Sequence, residues 1–456
     1  MTMHTFESLR RDYPVFAYDG FRITREDGGV RLRFDFSVEG LCAFRPETFI
    51  RTDGLTLLND PDSEAARAIV FALGLTEAVS YYKAVCSPVI EVRCGALTDA
   101  QKKWWKKLWF HGLGEFFYRN GIETTETDFV DVRCAGTWQK PACAFVRGGT
   151  HIVPIGGGKD SAVTLSLLQN EKDKIYGFTV NDQQARTDTM TAAGLPASRI
   201  LRTHRTIDPE LLRLNREGFL NGHTPFSAIV AFLSLYCAYL IGAENIVLSN
   251  ESSANESTVS GSDVNHQYSK SYTFERDFTA YTRDVLGLPI RYFSLLRPFN
   301  ELQIAKQFAA LPQYHAVFRS CNVGSKKNVW CCGCAKCLFV WCILSPFLSE
   351  DALTGIFGEN LLEKPSLLPE LEALCGLSAE KPFECIGTVR EVCAALHRTA
   401  DKYRAAGAPL PVLLRGVIDR LPPAEDDPLL DRNDEHNVPD TFMPYVEEMF
   451  RFVRAD

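Results

Sequence analysis

Between residues 150 and 310 of this 456-residue chain, short apolar runs alternate with helical segments, and no other feature narrows the fold as far. Strands read at His151–Ile155, Ile175–Val180, Arg199–Thr203, Asn245–Ser249 and Ile290–Leu295. Helices read at Lys159–Gln169, Gln184–Ala193, Pro225–Ile241, Ser271–Leu286 and Asn300–Phe308. Repeated βαβ units imply a parallel sheet covered by helices on both faces, with ligands at the carboxyl ends of the strands. The expected class is α/β, a doubly wound parallel sheet.

The flanks read differently. In the first part, Val30, Leu32, Phe34, Phe36 and Val38 alternate with Arg31, Arg33, Asp35 and Ser37, the pattern of a half-buried strand behind an Asp27-Gly28-Gly29 hairpin turn. A helix reads at Ser63–Ala84, and another opens at Thr98, where Thr98-x-x-Gln101 is a capping box. Its stripe of Trp104, Trp105, Leu108 and Trp109 is read as packing on its own domain rather than as a membrane or nucleobase contact. Residues after Pro346 read as helical, with acidic, Pro-rich Leu421–Asp440 as a surface connection. This gives an N-terminal α+β domain over 1–147, the α/β domain over 148–345 and a C-terminal helical region over 346–456.

A net charge of −8 argues against nucleic acid as the main partner. Met1–Arg11 carries no apolar signal-peptide core. The uncharged stretch Phe226–Ala243 sits at the lower limit of a bilayer span, but its Ser, Tyr and Gly residues and the strand that follows make it a buried helix, so no membrane span is expected. Fifteen cysteines without an export signal then imply free thiols or metal ligands in the cytoplasm.

The strongest local motif is His151-Ile-Val-Pro-Ile-Gly156-Gly157-Gly158-Lys159-Asp160-Ser161, a strand, a glycine turn and a helix start. Glycines let successive N–H groups converge on one anion, and the helix N-terminus and Lys159 add positive charge. Asp160 could hold a metal ion bridging phosphate oxygens, and Ser161 could hydrogen-bond them. The spacing is not that of a Walker A loop. A second motif is Cys321-x9-Cys331-x2-Cys334-x2-Cys337, suited to a tetrahedral zinc site, with an iron–sulfur cluster as the other option and Cys332 able to stand in for Cys331. Polar clusters follow two other elements: Asn221-Gly-His223-Thr-Pro-Phe-Ser227 opens the long apolar helix, and Asn250-Glu251-Ser-Ser-Ala-Asn-Glu256 and His266-Gln-Tyr-Ser-Lys-Ser271 share one loop at the carboxyl edge.

The Gly-Gly-Lys-Asp-Ser turn resembles the pyrophosphate loop of the adenine-nucleotide α-hydrolase-like ATP pyrophosphatases, whose usual pattern is Ser-Gly-Gly-x-Asp-Ser. Gly156 stands where that pattern has its leading Ser. The resemblance covers about 150–345 and implies that fold, ATP cleavage between the α- and β-phosphates, and Val180 and Asn181 near the nucleoside. The four cysteines also look like the zinc site of pyrophosphate-loop deazaguanine synthases. Taken with Leu108–Phe117, Phe357-Gly-Glu-Asn-Leu361 and Lys381-Pro-Phe-Glu-Cys385-Ile-Gly-Thr388, the set resembles the bacterial UDP-N-acetylmuramoyl-L-alanyl-L-glutamate epimerases over most of the chain.

That resemblance implies inversion of the terminal L-Glu of a nucleotide-linked muramoyl dipeptide with ATP and Mg2+, for peptidoglycan precursor synthesis. It places the phosphates on Gly156, Gly157, Gly158, Lys159 and Ser161, and Mg2+ on Asp160. Structural Zn2+ would sit on Cys321, Cys331, Cys334 and Cys337. His223, Glu251, His266 and Cys385 are the candidates for proton transfer, although Cys385 beside Pro382 and Phe383 also reads as a small buried residue. Two other classes remain: a pyrophosphate-loop nucleobase or tRNA modification enzyme, and a non-catalytic nucleotide sensor.

Overall fold

The computed structural model of the chain describes residues 4–255, 268–378, 386–423 and 426–455. Its strands are β1 (Val15–Glu26), β2 (Gly29–Val38), β3 (Cys42–Phe44), β4 (Glu47–Arg51), β5 (Val89–Val92), β6 (Asp131–Cys134), β7 (Thr150–Pro154), β8 (Ile175–Val180), β9 (Ile200–Arg205), β10 (Ala243–Leu248) and β11 (Arg291–Ser294). The order β11-β10-β7-β8-β9 is parallel throughout, as the βαβ rhythm requires. The fold is α/β, built on a large, mostly parallel sheet.

That sheet does not stop at the end of the predicted α/β domain. β9 pairs antiparallel with β4, matching Thr48 with Arg205 and Ile50 with Thr203, and the order continues β4-β2-β1-β5-β6. The N-terminal strands therefore extend the same sheet. The join also carries a buried ion pair: Arg205 donates through two nitrogens to Glu77 of the Glu64–Tyr82 helix.

The sheet divides the interior into two cores, and the period-two alternation of each strand assigns its side chains to them. Ile152, Phe178, Ile246 and Tyr292 face the first core, together with the Glu64–Tyr82 and Phe226–Ile241 helices and Trp105 and Trp109. Val153, Val247 and Phe293 face the second, together with the Lys159–Leu167, Glu301–Ala309, Ala335–Leu344 and Val389–Ala405 helices. The Phe226–Ile241 helix is apolar on nearly every face because it lies between the sheet and the Glu64–Tyr82 helix. Gly242, at φ 69°, ends it in a left-handed turn. Among the described residues, no helix is long and apolar enough to cross a membrane.

The segment expected as a surface connection is partly interior. Leu429 and Val438 are buried, and Gln303 Nε2 donates to the carbonyls of Leu429 and Asp431. The Glu301–Ala309 helix thus places a buried donor against this segment, which ties an acidic, Pro-rich run to the core.

Candidate active site

At the carboxyl edge of the parallel strands, the glycine turn, the ends of β8 and β10 and the start of the Phe226–Ile241 helix enclose a cleft of about 220 Å³. Gly156, Gly158, Asp160 and Ser161 line one side, and Phe178, Val180, Phe226, Val230, Leu248 and Tyr292 give it an apolar side. Arg186, Asn250 and Lys270 add polar groups. Gly157 has φ 82°, and a Cβ there would lie 3.1 Å from Ala185 and from Arg186 N, so both conformation and space call for glycine. The helix that follows has Gly158 as its N-cap, with no side chain capping its first-turn N–H groups. N–H groups left without a side-chain cap at a helix N-terminus are suited to an anion.

The residues singled out from sequence fall into distinct positions. Ser161 lines the cleft and donates its hydroxyl to Gly158 O at 3.1 Å. Asp160 lines it with its side chain 31% exposed. Lys159 does not: its side chain is buried, and Nζ donates to Asp160 Oδ1 at 2.5 Å and to Glu301. Val180 is on the apolar wall, whereas Asn181, at φ 60°, turns its side chain to accept the N–H of Arg205 at 2.8 Å. His223 lies three residues before Phe226, with Nδ1 3.5 Å from Glu115 Oε2, and Arg119 Nε donates to the same carboxylate at 2.6 Å. Glu251 is buried directly after cleft-lining Asn250. His266 and Cys385 lie outside the described residues.

Sequence reasoning missed the carboxyls behind the turn. Glu301 reaches Lys159, and its own N–H donates to Glu391 Oε1 at 2.8 Å. Glu391 also closes a capping box with Thr388 at the start of its helix. Burial would lower the Lys159 pKa, but the charges of Asp160 and Glu301 outweigh it and hold the ammonium raised. Burial pushes Glu301 up to about 8; Lys159 opposes that rise, and Asp160 and Glu251 add to it. Glu391 is raised as well, first by burial. The charges that act on Glu301 are those of Lys159, Asp160, Glu251 and Lys336, and Glu251 acts on Glu391 as well. The available signals were Asn300-x-x-Gln303, a capping box that puts Glu301 in a first helical turn beyond β11, and Lys270 inside a cluster already marked as polar.

The four cysteines come together although none is paired in a disulfide. Their sulfurs all lie within 4.8 Å of one another, with Cys334 to Cys337 at 3.5 Å and Cys331 to Cys337 at 3.8 Å. A tetrahedron with metal–sulfur bonds of about 2.3 Å has edges of about 3.8 Å, so the spacing fits a single zinc ion. Cys332 is not an alternative ligand here: its thiol donates to Phe357 O at 3.2 Å. The hydrogen bond between Cys334 and Cys337 pulls Cys334 down to about 5 and pushes Cys337 up.

With this geometry in view, comparison with known proteins decides the family. The chain matches the MurL N-terminal domain over residues 7–295 and the MurL C-terminal domain over residues 317–427. The chain belongs to the MurL family. A relative from Xanthomonas oryzae pv. oryzae is 34% identical over 86% of this chain and 88% of its own length. Relatives from Salinispora tropica and a Micromonospora species are each 32% identical over 91% of this chain and 90% and 92% of their own. All three are named UDP-N-acetyl-alpha-D-muramoyl-L-alanyl-L-glutamate epimerase. The chain is thus a member of a MurL family of epimerases, and its cleft and cysteine centre lie within or beside the two matched MurL segments.

Proposed function

We propose that this MurL protein inverts the terminal L-Glu of UDP-N-acetylmuramoyl-L-alanyl-L-glutamate to D-Glu, at the expense of ATP and in the cytoplasm, as a step in peptidoglycan precursor synthesis. The observation that carries the ATP-dependent part is the uncapped glycine turn facing a cleft beside a part-exposed Asp160. The same features support an adenine-nucleotide α-hydrolase type of fold for the 148–345 domain, between the 1–147 and 346–456 regions.

The chemistry explains why an epimerase would need ATP. Removing the α-proton next to a free carboxylate builds a dianion. In the proposed route the substrate carboxylate attacks the α-phosphorus and pyrophosphate leaves. The resulting acyl adenylate has no carboxylate charge, so a base can take the α-proton through an enolate, and an acid returns one from the opposite face. Water then cleaves the anhydride to the D-Glu product and AMP.

Gly156, Gly157, Gly158 and Ser161 would hold the phosphates, and the apolar wall at Phe178 and Val180 the nucleoside. Asp160 would ligate Mg2+, which supplies positive charge to the phosphate oxygens. Lys159 would act by fixing Asp160, and Arg186 by lending charge to the cleft. His223 and Glu251 are the described candidates for proton transfer, with His266 and Cys385 as the others. Cys321, Cys331, Cys334 and Cys337 would hold a structural Zn2+.

The test is turnover in D2O with the UDP-linked L-Ala-L-Glu substrate. Product carrying deuterium at the glutamyl α-carbon, formed with AMP and only when ATP and Mg2+ are present, is the expected result. Inversion that proceeds equally well without ATP would overturn the adenylate route. A variant at His223 or Glu251 that releases pyrophosphate without inversion would mark the proton-transfer group.

A further inference from the structure

The segment that leads into the cysteine centre contacts the glycine turn. Arg319 N–H donates to Gly157 O at 2.8 Å, which pins the segment before Cys321 to the middle of the turn. The Arg319 guanidinium fixes that segment in turn, donating to the carbonyls of Ala316 and Phe318 at 3.0 and 2.6 Å. The next residue, Ser320, lies over the following glycine: a Cβ built on Gly158 would sit 2.7 Å from Ser320 Oγ. Gly158 has φ −92° and ψ 179°, which any residue adopts, so its glycine character is a matter of space for Ser320 and not of backbone conformation. Cys321 then turns into the metal centre, where its Sγ accepts the N–H groups of Gly324 at 3.1 Å and Cys331 at 3.4 Å.

Ser320 is half-buried, and its hydroxyl oxygen is the side-chain atom nearest to where a Gly158 Cβ would stand. A hydroxyl held against the N-cap of an uncapped helix, over a residue that lines the cleft, is a donor placed for the same anion as the first-turn N–H groups. We propose that Ser320 is a phosphate ligand of the nucleotide site, brought in by the cysteine centre, so that this centre forms one wall of that site. The proposal rests on the ATP reading above and extends it to a residue more than 150 positions away from the turn.

The experiment measures three affinities by calorimetry on wild-type and Ser320→Ala holoprotein: inorganic pyrophosphate with Mg2+, ATP with Mg2+, and adenosine. Loss of one hydrogen bond to a charged oxygen predicts roughly ten-fold weaker binding of pyrophosphate and ATP. Adenosine affinity, thermal midpoint and metal content should be unchanged. Unaltered pyrophosphate and ATP affinity in Ser320→Ala overturns the assignment while leaving the ATP reading intact. Equal weakening of all three ligands, or a fall in metal content, also overturns it, because the side chain would then act on the fold. If wild-type protein binds neither pyrophosphate nor ATP, the nucleotide reading fails and this assignment fails with it.

Discussion

Two buried polar clusters sit on the same side of the sheet, and they reach neutrality by different means. Around Lys159 the chain brings both signs: Asp160, Glu251, Glu301 and Glu391 against Lys159 and Lys336. At Cys321, Cys331, Cys334 and Cys337 it brings four acids of one kind within 4.8 Å of one another. The first cluster meets its carboxyls with ammonium groups of its own chain. The second has no favourable fully ionised state without a metal, because each thiolate raises the next proton's affinity. The fold pairs charges within one cluster, and the other has the spacing to hold an ion.

Stripping the metal is the strongest way to test this contrast. Protein purified without added metal should contain about one zinc per chain, and removal by a chelator or by Cys337→Ser should reduce stability by on the order of 5 kcal/mol or abolish solubility. Denaturant unfolding with elemental analysis reads this out, and an apo chain as stable as the holo form would reduce the cysteines to ordinary core residues.

Next in size is the self-neutralised cluster. Glu301→Ala leaves the buried Lys159 with Asp160 alone and should cost about 3–5 kcal/mol in urea unfolding. Glu301→Gln, which keeps an acceptor, should cost less. If the two variants are equally stable, the Lys159–Glu301 contact is not what holds the lysine.

Asp160→Asn separates folding from chemistry, since its side chain is part-exposed at the cleft. AMP formation should fall roughly 100-fold, with thermal stability within about 1 kcal/mol of wild type. An Asp160→Asn protein that lost stability as severely as Glu301→Ala would place Asp160 in the scaffold instead.

The smallest effect concerns a buried cation whose partner is a backbone carbonyl. Lys83 donates to Gly222 O, and burial pulls it down to about 8 from its ordinary 10.5. Between those values the unfolded chain holds a proton that the folded chain has released, so this group's contribution to stability rises with pH from about 8 to about 10.5. Below about 8 it is a penalty. Lys83→Met should stabilise the protein at pH 7 and lose that advantage by pH 10.5, read as the difference in unfolding midpoint at the two pH values.

Much of this was legible in the residues. All five parallel strands and the five helices read with them fall within a few positions of where alternation and caps placed them, while the Pro209–Arg216 helix was missed. The Thr98 capping box forms, and Trp105 and Trp109 are buried, but the stripe does not pack on the N-terminal region alone: Trp104 and Trp105 lie against Phe232 and Tyr281. The spacing of four cysteines brought their sulfurs together. The cleft side of the site was legible only in part: Asp160 and Ser161 line it, but Lys159 turns inward to a carboxylate that no local pattern connects to it.

The sequence by itself determined what depends on near neighbours: strand and helix periods, the glycine turn, the helix caps and the cysteine spacing. Each is a property of a few consecutive residues, so it can be read without knowing where the rest of the chain lies. Tertiary structure alone decided the pairing of β4 with β9, the inward turn of Lys159 to Glu301, and the placement of Ser320 over Gly158. Those contacts join residues more than 100 positions apart. They are selected by how two cores pack across one sheet and by the need of each buried charge for a partner, and neither condition exists until the chain has closed on itself.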